Sequence, residues 1–204
     1  MLENNHQPFR RSGSLGRKQH GGAAVEFALL VIIFLSLVFG ILELARAIYL
    51  FNILQEVTRR AGTMAANSNF DAGTLETIRS QALFSDANGN LIYGAPITPA
   101  HLKIDYLSIS RDTGTGAVTP QPISSMPACP TQNHANCVAD PYGASCIRLV
   151  RVRVCQPGGG NSCTPVPYQM QFPFIDLSGL KLPRSETIVP AHTLGYKFGS
   201  VGCL

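Results

Sequence analysis

One uninterrupted apolar run, from Ala23 to Leu42, lies near the start of the chain. Glu26 is the only charged residue in this run, and Ser36 is the only other residue with a polar side chain. At about 1.5 Å of rise per residue, a helix of this length extends about 30 Å, which is the thickness of the hydrocarbon core of a bilayer. The run therefore predicts one membrane-spanning helix, and membrane lipid is the first partner that we expect.

The charges on either side of the run predict its orientation. Four basic residues precede it: Arg10, Arg11, Arg17 and Lys18. The first two charges after it, Glu43 and Arg46, cancel each other. Basic residues next to a span stay in the cytoplasm, so we expect a cytoplasmic N-terminus and a chain that lies outside the cytoplasm after the span.

The helix is expected to continue past the span with only one apolar face. Six small or apolar residues recur at helical spacing: Leu50, Leu54, Val57, Ala61, Met64 and Ala65. Polar residues fall on the opposite face: Asn52, Gln55, Glu56, Arg59 and Arg60. Such a helix lies first in lipid and then along a domain. We therefore divide the chain into a basic cytoplasmic leader (1–21), a long helix (22–67) that spans the membrane to about residue 42, and an exported domain (68–204).

The exported part predicts a small α+β domain with an antiparallel sheet. A helix is expected over Thr74–Phe84, because the turn-forming stretch 86–90 follows it. Alternating or β-branched apolar residues predict strands at 102–110, 147–154, 168–175, 187–189 and 194–198. A change of parity near Leu149 and Val150 indicates a bulge or a strand that is covered on both faces. A cysteine-rich insert occupies about 113–164.

All six cysteines follow the apolar run: Cys129, Cys137, Cys146, Cys155, Cys163 and Cys203. Disulfides persist outside the cytoplasm, and the absence of a C-x-x-C pair argues against a zinc site. Spacing alone does not decide the pairing. The glycine-rich loop 156–162 favours a Cys155–Cys163 bond, Cys129–Cys137 is the next choice, and Cys146–Cys203 follows by elimination.

Composition and motifs argue against two classes of function. Charged residues make up 14% of the chain and form no basic stripe after residue 66, so no nucleic-acid surface is expected. No G-x-S-x-G, no H-E-x-x-H and no phosphate-binding loop with a lysine occurs. Arg151 and Arg153 share a strand parity and are interpreted as the solvent side of a sheet, and Phe172 and Phe174 as core. We expect no enzyme, no catalytic residue, no metal site and no cofactor.

Three interpretations of the apolar run remain open. It is a signal peptide cut at Ala45-Arg46-Ala47, a plain signal anchor, or a segment that is processed in another way. The length of the run argues against a signal peptide, whose apolar core is about 7–15 residues long. Gly21 and Glu26 are unusual for a plain anchor, because a carboxylate in a span is costly unless it has a partner.

The stretch from Gly21 to Phe27, read with its basic leader and the apolar run, resembles the processing site of type IV pilin-like precursors. It resembles more closely the TadE-like minor pseudopilins of tight-adherence (Flp-type) pilus systems, over about residues 17–66. The stretches 168–174 and 185–189 are similar to the closing strands of that family. The cysteine-rich insert departs from the family pattern.

The resemblance implies a processing event and a set of partners. A prepilin peptidase would cut between Gly21 and Gly22, or one bond later, after Gly22. After the first cut, Glu26 is the fifth mature residue and is followed by Phe27. Its carboxylate would pair with the new α-ammonium group of Gly22, in the same or a neighbouring subunit.

The expected function is therefore that of a non-enzymatic minor pilin or pseudopilin. It would lie in the bacterial inner membrane as a single-pass protein with a periplasmic C-terminal domain, and would act with other pilus or pseudopilin subunits in assembling an adhesive or secretory filament. The alternative is a bitopic or secreted disulfide-rich binding protein without a role in a filament.

Overall fold

The computed structural model describes residues 20–160, 162–172 and 179–198, which fall into two compact units with their boundary between Gly40 and Ile41. Within these described residues, three helices, one 3₁₀ turn and four strands follow one another in the order α1 (His20–Asn67), α2 (Ala72–Ala82), the 3₁₀ turn (Pro99–His101), β1 (Leu102–Arg111), β2 (Val118–Pro122), α3 (Pro130–Ala139), β3 (Leu149–Val154) and β4 (Glu186–Pro190). The fold is α+β, with a long apolar N-terminal helix, as the sequence predicts.

The second half of α1 is the central element of the larger unit. Its predicted apolar face is buried, with Leu54, Val57 and Ala61 inaccessible to solvent and Met64 partly buried. The polar residues Asn52, Arg59 and Arg60 are exposed, as the periodicity predicts. Helical spacing thus places one side of α1 in the core and the other in solvent.

The four strands form one antiparallel sheet in the order β2-β1-β3-β4. The side chains of Val150, Val152 and Val154 are buried, while the residues between them are half-buried. Strand β3 begins at Leu149, so the buried residue Ile147 lies before the strand. The change of parity that the sequence shows near Leu149 and Val150 is therefore the start of the strand. No bulge is needed to explain the pattern.

The second half of α1 lies against one face of this sheet. The hydroxyl groups of Thr58 and Thr187 are 2.9 Å apart, which joins α1 to β4. Gly62 lies so close to the sheet that an added Cβ atom would be 3.3 Å from a methyl carbon of Val189. A small residue at this position therefore permits the close approach of helix and sheet.

The opposite face of the sheet carries a charged cluster. Asp105 on β1 accepts hydrogen bonds from Arg151 at 3.4 Å and Arg153 at 2.5 Å, and Lys103 lies 3.8 Å away. Arg151 and Asp105 are direct neighbours in the β1–β3 register. The two arginines share one face of the sheet, as their common parity predicts, but they are half-buried and paired with Asp105 rather than free in solvent.

The disulfides agree with the prediction in part. Cys155 is bonded to Cys163, the pairing that the glycine-rich loop favours. Cys137 is bonded to Cys146, so the expected pairs Cys129–Cys137 and Cys146–Cys203 are wrong. Cys129 is the N-cap of α3 and Cys137 lies in its last turns, about 12 Å away along the axis, which is too far for a disulfide. Cys129 is disulfide-bonded, and Cys203 lies outside the described residues.

Two elements of the insert were not predicted. Helix α3 begins with Pro130 directly after its N-cap, and proline at the first helical position is favourable. Strand β2 is exposed along its whole length and contains Pro120 and Pro122. The strand lacks the alternation of apolar residues by which strands are predicted. Proline and full exposure are both typical of an edge strand.

Two predicted strands are wrong in the described part of the chain. Residues 168–172 form no strand; Tyr168 instead donates a backbone hydrogen bond of 2.9 Å to Leu180 beside an isolated Pro167–Lys181 bridge. Residues 173–178, which include Phe174, lie outside the described residues. The segment 194–198 contains a turn, because Leu194 and Gly195 both have positive φ, and Leu194 donates to the Ala66 carbonyl near the end of α1.

Candidate functional site

The residues singled out for processing and charge pairing lie in the first turns of α1. Gly21, Gly22, Glu26 and Phe27 are all exposed. Among the described residues, a Cβ atom added to Gly21 or Gly22 would have no heavy atom within 4 Å other than the adjacent backbone of α1 itself. Gly22 and Glu26 are four residues apart, a spacing that places them on one face of the helix. Within the described residues, no salt bridge involves Glu26.

Large apolar side chains cover this part of α1 on all sides, and they are exposed. Phe27, Leu30, Ile33, Phe34 and Leu37 are examples. Among the described residues, one helix is long and apolar enough to cross a membrane, and it is α1. An apolar surface of this extent is stable only against lipid or other protein, which suggests a single-pass, membrane-anchored protein.

From Ile41 onward α1 has two different faces. Leu44 and Ile48 remain 62% and 53% exposed, so the exposed apolar surface continues past Leu42. Glu43, Ala47 and Leu50 are buried on the other face. The first buried residue of this series is therefore an acid, in a position where a core residue is expected.

The buried carboxylate of Glu43 has two partners, a neutral hydroxyl group and a cation. The Tyr168 hydroxyl donates a hydrogen bond of 2.5 Å to Glu43 Oε1, and Arg46 Nη1 lies 3.2 Å from the same oxygen. Glu43 as a whole is 3% exposed. A buried charge with a paired cation and a hydrogen-bond donor is compensated, whereas an unpaired charge would be costly.

Arg46 joins this pair to two other segments. Its Nε donates to the Tyr93 carbonyl at 2.8 Å and its Nη1 donates to the Gln169 carbonyl at 2.6 Å. The guanidinium also lies over the Tyr168 ring, with Cζ 5.3 Å from the ring centroid. One side chain of α1 thus fixes two loops that are 47 and 123 residues away in the sequence.

Burial is the main cause that raises the pKa of Tyr168 to about 12, and the hydrogen bond to Glu43 raises it further. Tyr168 therefore stays a neutral donor over the whole physiological range. Glu43, Arg46 and Tyr168 are occupied by one another, so the chemistry of this cluster is that of a buried structural ion pair.

The sequence pattern does not predict this cluster, because Glu43 and Arg46 are interpreted there only as balancing charges. A signal was present, because Glu43 precedes Leu50 and Leu54 by seven and eleven positions on the same helical face. Extending the apolar face backwards would have placed Glu43 in the core, and a buried acid demands a partner.

The histidines of the larger unit show no arrangement typical of catalysis within the described residues. The His101 ring accepts a hydrogen bond from the Thr98 backbone at 3.1 Å, and burial lowers its pKa. His134 stacks on Tyr196 with ring centroids 4.7 Å apart. In the part of the chain that the structure describes, no group of three or more His, Cys, Asp or Glu could hold a metal ion.

One comparison with known proteins gives a match within α1. No curated protein and no solved structure matches the chain. The model of the family described as TadE-like protein matches residues 21–62, which begin at Gly21 and cover most of α1. The resemblance noted from the sequence is confirmed over this segment. Residues 21–62 of the chain are thus similar to TadE-like proteins, a family of structural pilus components, and this similarity suggests a pilus-associated protein.

Proposed function

We propose that the protein is a non-enzymatic minor pilin or pseudopilin of a tight-adherence pilus system. The observation that carries this proposal is the match to TadE-like proteins over residues 21–62, on a helix whose first part is apolar and exposed on all sides. Such a helix serves equally well in a bilayer and in a bundle of like helices. In this proposal the protein lies in the bacterial inner membrane, with its N-terminus in the cytoplasm and its larger unit in the periplasm.

The proposed mechanism is an exchange of contacts. Before assembly, lipid covers the side chains between Val25 and Leu42. During assembly, helices of other pilus subunits replace that lipid, and the exported domain supplies the specific surface. Association of helices inside a bilayer depends on close packing and polar contacts rather than on the hydrophobic effect, because lipid is as apolar as the side chains.

Processing by a prepilin peptidase is the first step of the proposal. The two consecutive glycines at positions 21 and 22 support it, because glycine has no side chain to obstruct a protease that must accept an extended backbone. The cut between Gly21 and Gly22 creates a new ammonium group about 6 Å along the helix from Glu26. This cation compensates the carboxylate of Glu26, in the same subunit or in a neighbour.

The mass of the mature N-terminus tests the processing step. We expect the chain to begin at Gly22, and we expect Gly21→Leu to leave a full-length precursor in the membrane. Gly22→Ala is the matched control, because alanine adds only one methyl group. This variant should still be cut, with the introduced alanine as its new first residue, if the bond after position 21 is used. A mature chain that begins at Met1 or Ile48 would contradict the proposal and favour a plain anchor or a secreted protein.

Glu26→Gln tests the charge pairing separately from cleavage. It keeps the shape of the side chain and removes its charge, so cleavage and insertion should be normal while co-purification with other pilus subunits and filament formation are lost. Ser36→Ala changes the other polar residue of the span and serves as the control. Normal filaments with Glu26→Gln would contradict the charge pairing but would not bear on the processing step.

A further inference from the structure

The exposed apolar surface of the larger unit begins where the apolar run ends. Leu44, Ile48 and Tyr49 are exposed on α1, beyond Leu42. Ile48 lies about 9 Å beyond Leu42 along the helix axis, which is close to the depth of the headgroup region, about 5–8 Å on each side of a bilayer. The part of α1 that would cross the headgroups therefore still presents apolar side chains outward.

A loop of the domain lies at the same level as this part of α1. The hydrogen bond from Arg46 Nε to the Tyr93 carbonyl places Tyr93 beside Arg46, which is about 6 Å beyond Leu42 along the axis. Tyr93 has a φ of +54° and is 70% exposed. A positive φ is uncommon for a residue with a side chain, and here the contact with Arg46 holds the backbone while the ring points outward.

A pocket of about 400 Å³ opens between α1 and these loops. Leu42, Ala45 and Tyr49 line it from the helix, and Tyr93 and Phe172 line it from the domain. The polar groups of Glu43 and Arg46 are occupied by each other and by Tyr168. The free surface of the pocket is thus largely carbon, with tyrosines at its rim.

Tyrosine at the rim of an apolar surface is typical of the boundary between hydrocarbon and water, because its ring prefers lipid and its hydroxyl prefers water. We propose that this end of the domain lies in the headgroup layer and that its pocket holds a phospholipid acyl chain. The choice of lipid rests on the continuity of the surface with the apolar run and on the level of Tyr93. The inference also rests on the proposed function for the membrane crossing of α1.

The chain contains no tryptophan, so a single introduced tryptophan reports on its own surroundings. The full chain with Tyr93→Trp is placed in phospholipid vesicles whose acyl chains are brominated either near the headgroup or near the chain end. We expect blue-shifted emission from the tryptophan at position 93, and we expect bromine near the headgroup to quench it more strongly than bromine near the chain end.

Two matched variants make the outcome decisive. Phe34→Trp, in the middle of the apolar run, should show the opposite order of quenching. Tyr142→Trp, exposed in the cysteine-rich insert, should not be quenched. If the Phe34→Trp chain is quenched and the Tyr93→Trp chain is not, α1 crosses the membrane as proposed but this inference is wrong. If neither chain is quenched, both this inference and the proposed membrane crossing fail.

A third variant tests the pocket itself. Ala45→Phe, added to Tyr93→Trp, fills the pocket and should reduce the quenching of the tryptophan at position 93 while leaving its blue shift. Unchanged quenching would overturn the assignment of an acyl chain to the pocket. A blue shift that grows with the protein content of the vesicles, without quenching by brominated lipid, would also overturn the assignment. It would indicate that a second copy of the chain covers position 93.

Discussion

The two halves of α1 have similar apolar residues but opposite surroundings. In the first half, side chains such as Phe34 and Leu37 are exposed, whereas Leu50 and Leu54 in the second half are buried in the core of the larger unit. The same helix therefore provides a surface for partners outside the chain and a core for the chain itself. Apolar character alone does not distinguish these roles, but the appearance of a polar face after residue 50 does.

Helix α1 also carries one buried and one exposed ion pair, which can be compared in the same way. Glu43 and Arg46 are paired three residues apart, and so are Glu56 and Arg59. The first pair is buried and the second is exposed, with the pKa of Glu56 lowered by its hydrogen bond from Arg59. Spacing and residue types are identical, so any difference between the pairs comes from their surroundings.

The largest expected effect is the loss of Arg46. Arg46→Met leaves the Glu43 carboxylate and the Gln169 carbonyl without their cation, and breaking one side of a buried pair costs about 3–5 kcal/mol in unfolding free energy. Chemical denaturation of the full chain in micelles measures this cost.

Arg59→Met is the matched control, because it breaks the exposed pair and should leave the unfolding free energy essentially unchanged. Adding Glu43→Gln to Arg46→Met should recover part of the loss, since the buried charge is then absent. Equal effects of Arg46→Met and Arg59→Met would contradict the distinction between the two pairs.

The second effect concerns leucines on the two halves of α1. Leu54→Ala should lower the unfolding free energy of the domain by about 2–5 kcal/mol, because it leaves a cavity in the core. Leu37→Ala removes the same atoms from an exposed position and should have little effect on domain unfolding in the same micelles. A large effect of Leu37→Ala would show that the first half of α1 also supports the folded domain.

The smallest effect depends on pH. The pKa of Tyr168 is raised to about 12 in the folded chain, whereas an unfolded tyrosine titrates near 10. The neutral hydroxyl is favoured by folding, so its contribution is complete below pH 10 and is lost as the pH rises towards 12. The loss amounts to roughly 2–3 kcal/mol. Absorbance titration of tyrosinate should show a late component near pH 12 that Tyr168→Phe reduces.

The elements with strong periodicity could be predicted from the sequence. The end of α1, strands β1 and β4, and the Cys155–Cys163 loop follow from spacing, glycine content and β-branched residues. Strand β2 could not be predicted, because an exposed edge strand with two prolines has no apolar alternation. The Glu43–Tyr168 contact could not be predicted either, because it joins residues 125 positions apart, and local pattern carries no information on such a pairing.

The contact between Thr58 on α1 and Thr187 on β4 closes the domain across 129 residues. Contacts between residues so far apart in the sequence slow folding, because bringing the two residues together costs chain entropy before the contact stabilises the fold. At synthesis rates of about 5–20 residues per second, roughly 6–26 s separate the emergence of these two residues from the ribosome. The buried face of α1 is thus made long before β4, which covers part of it, and a chain truncated before β4 would expose that face to any chaperone or protease in its compartment.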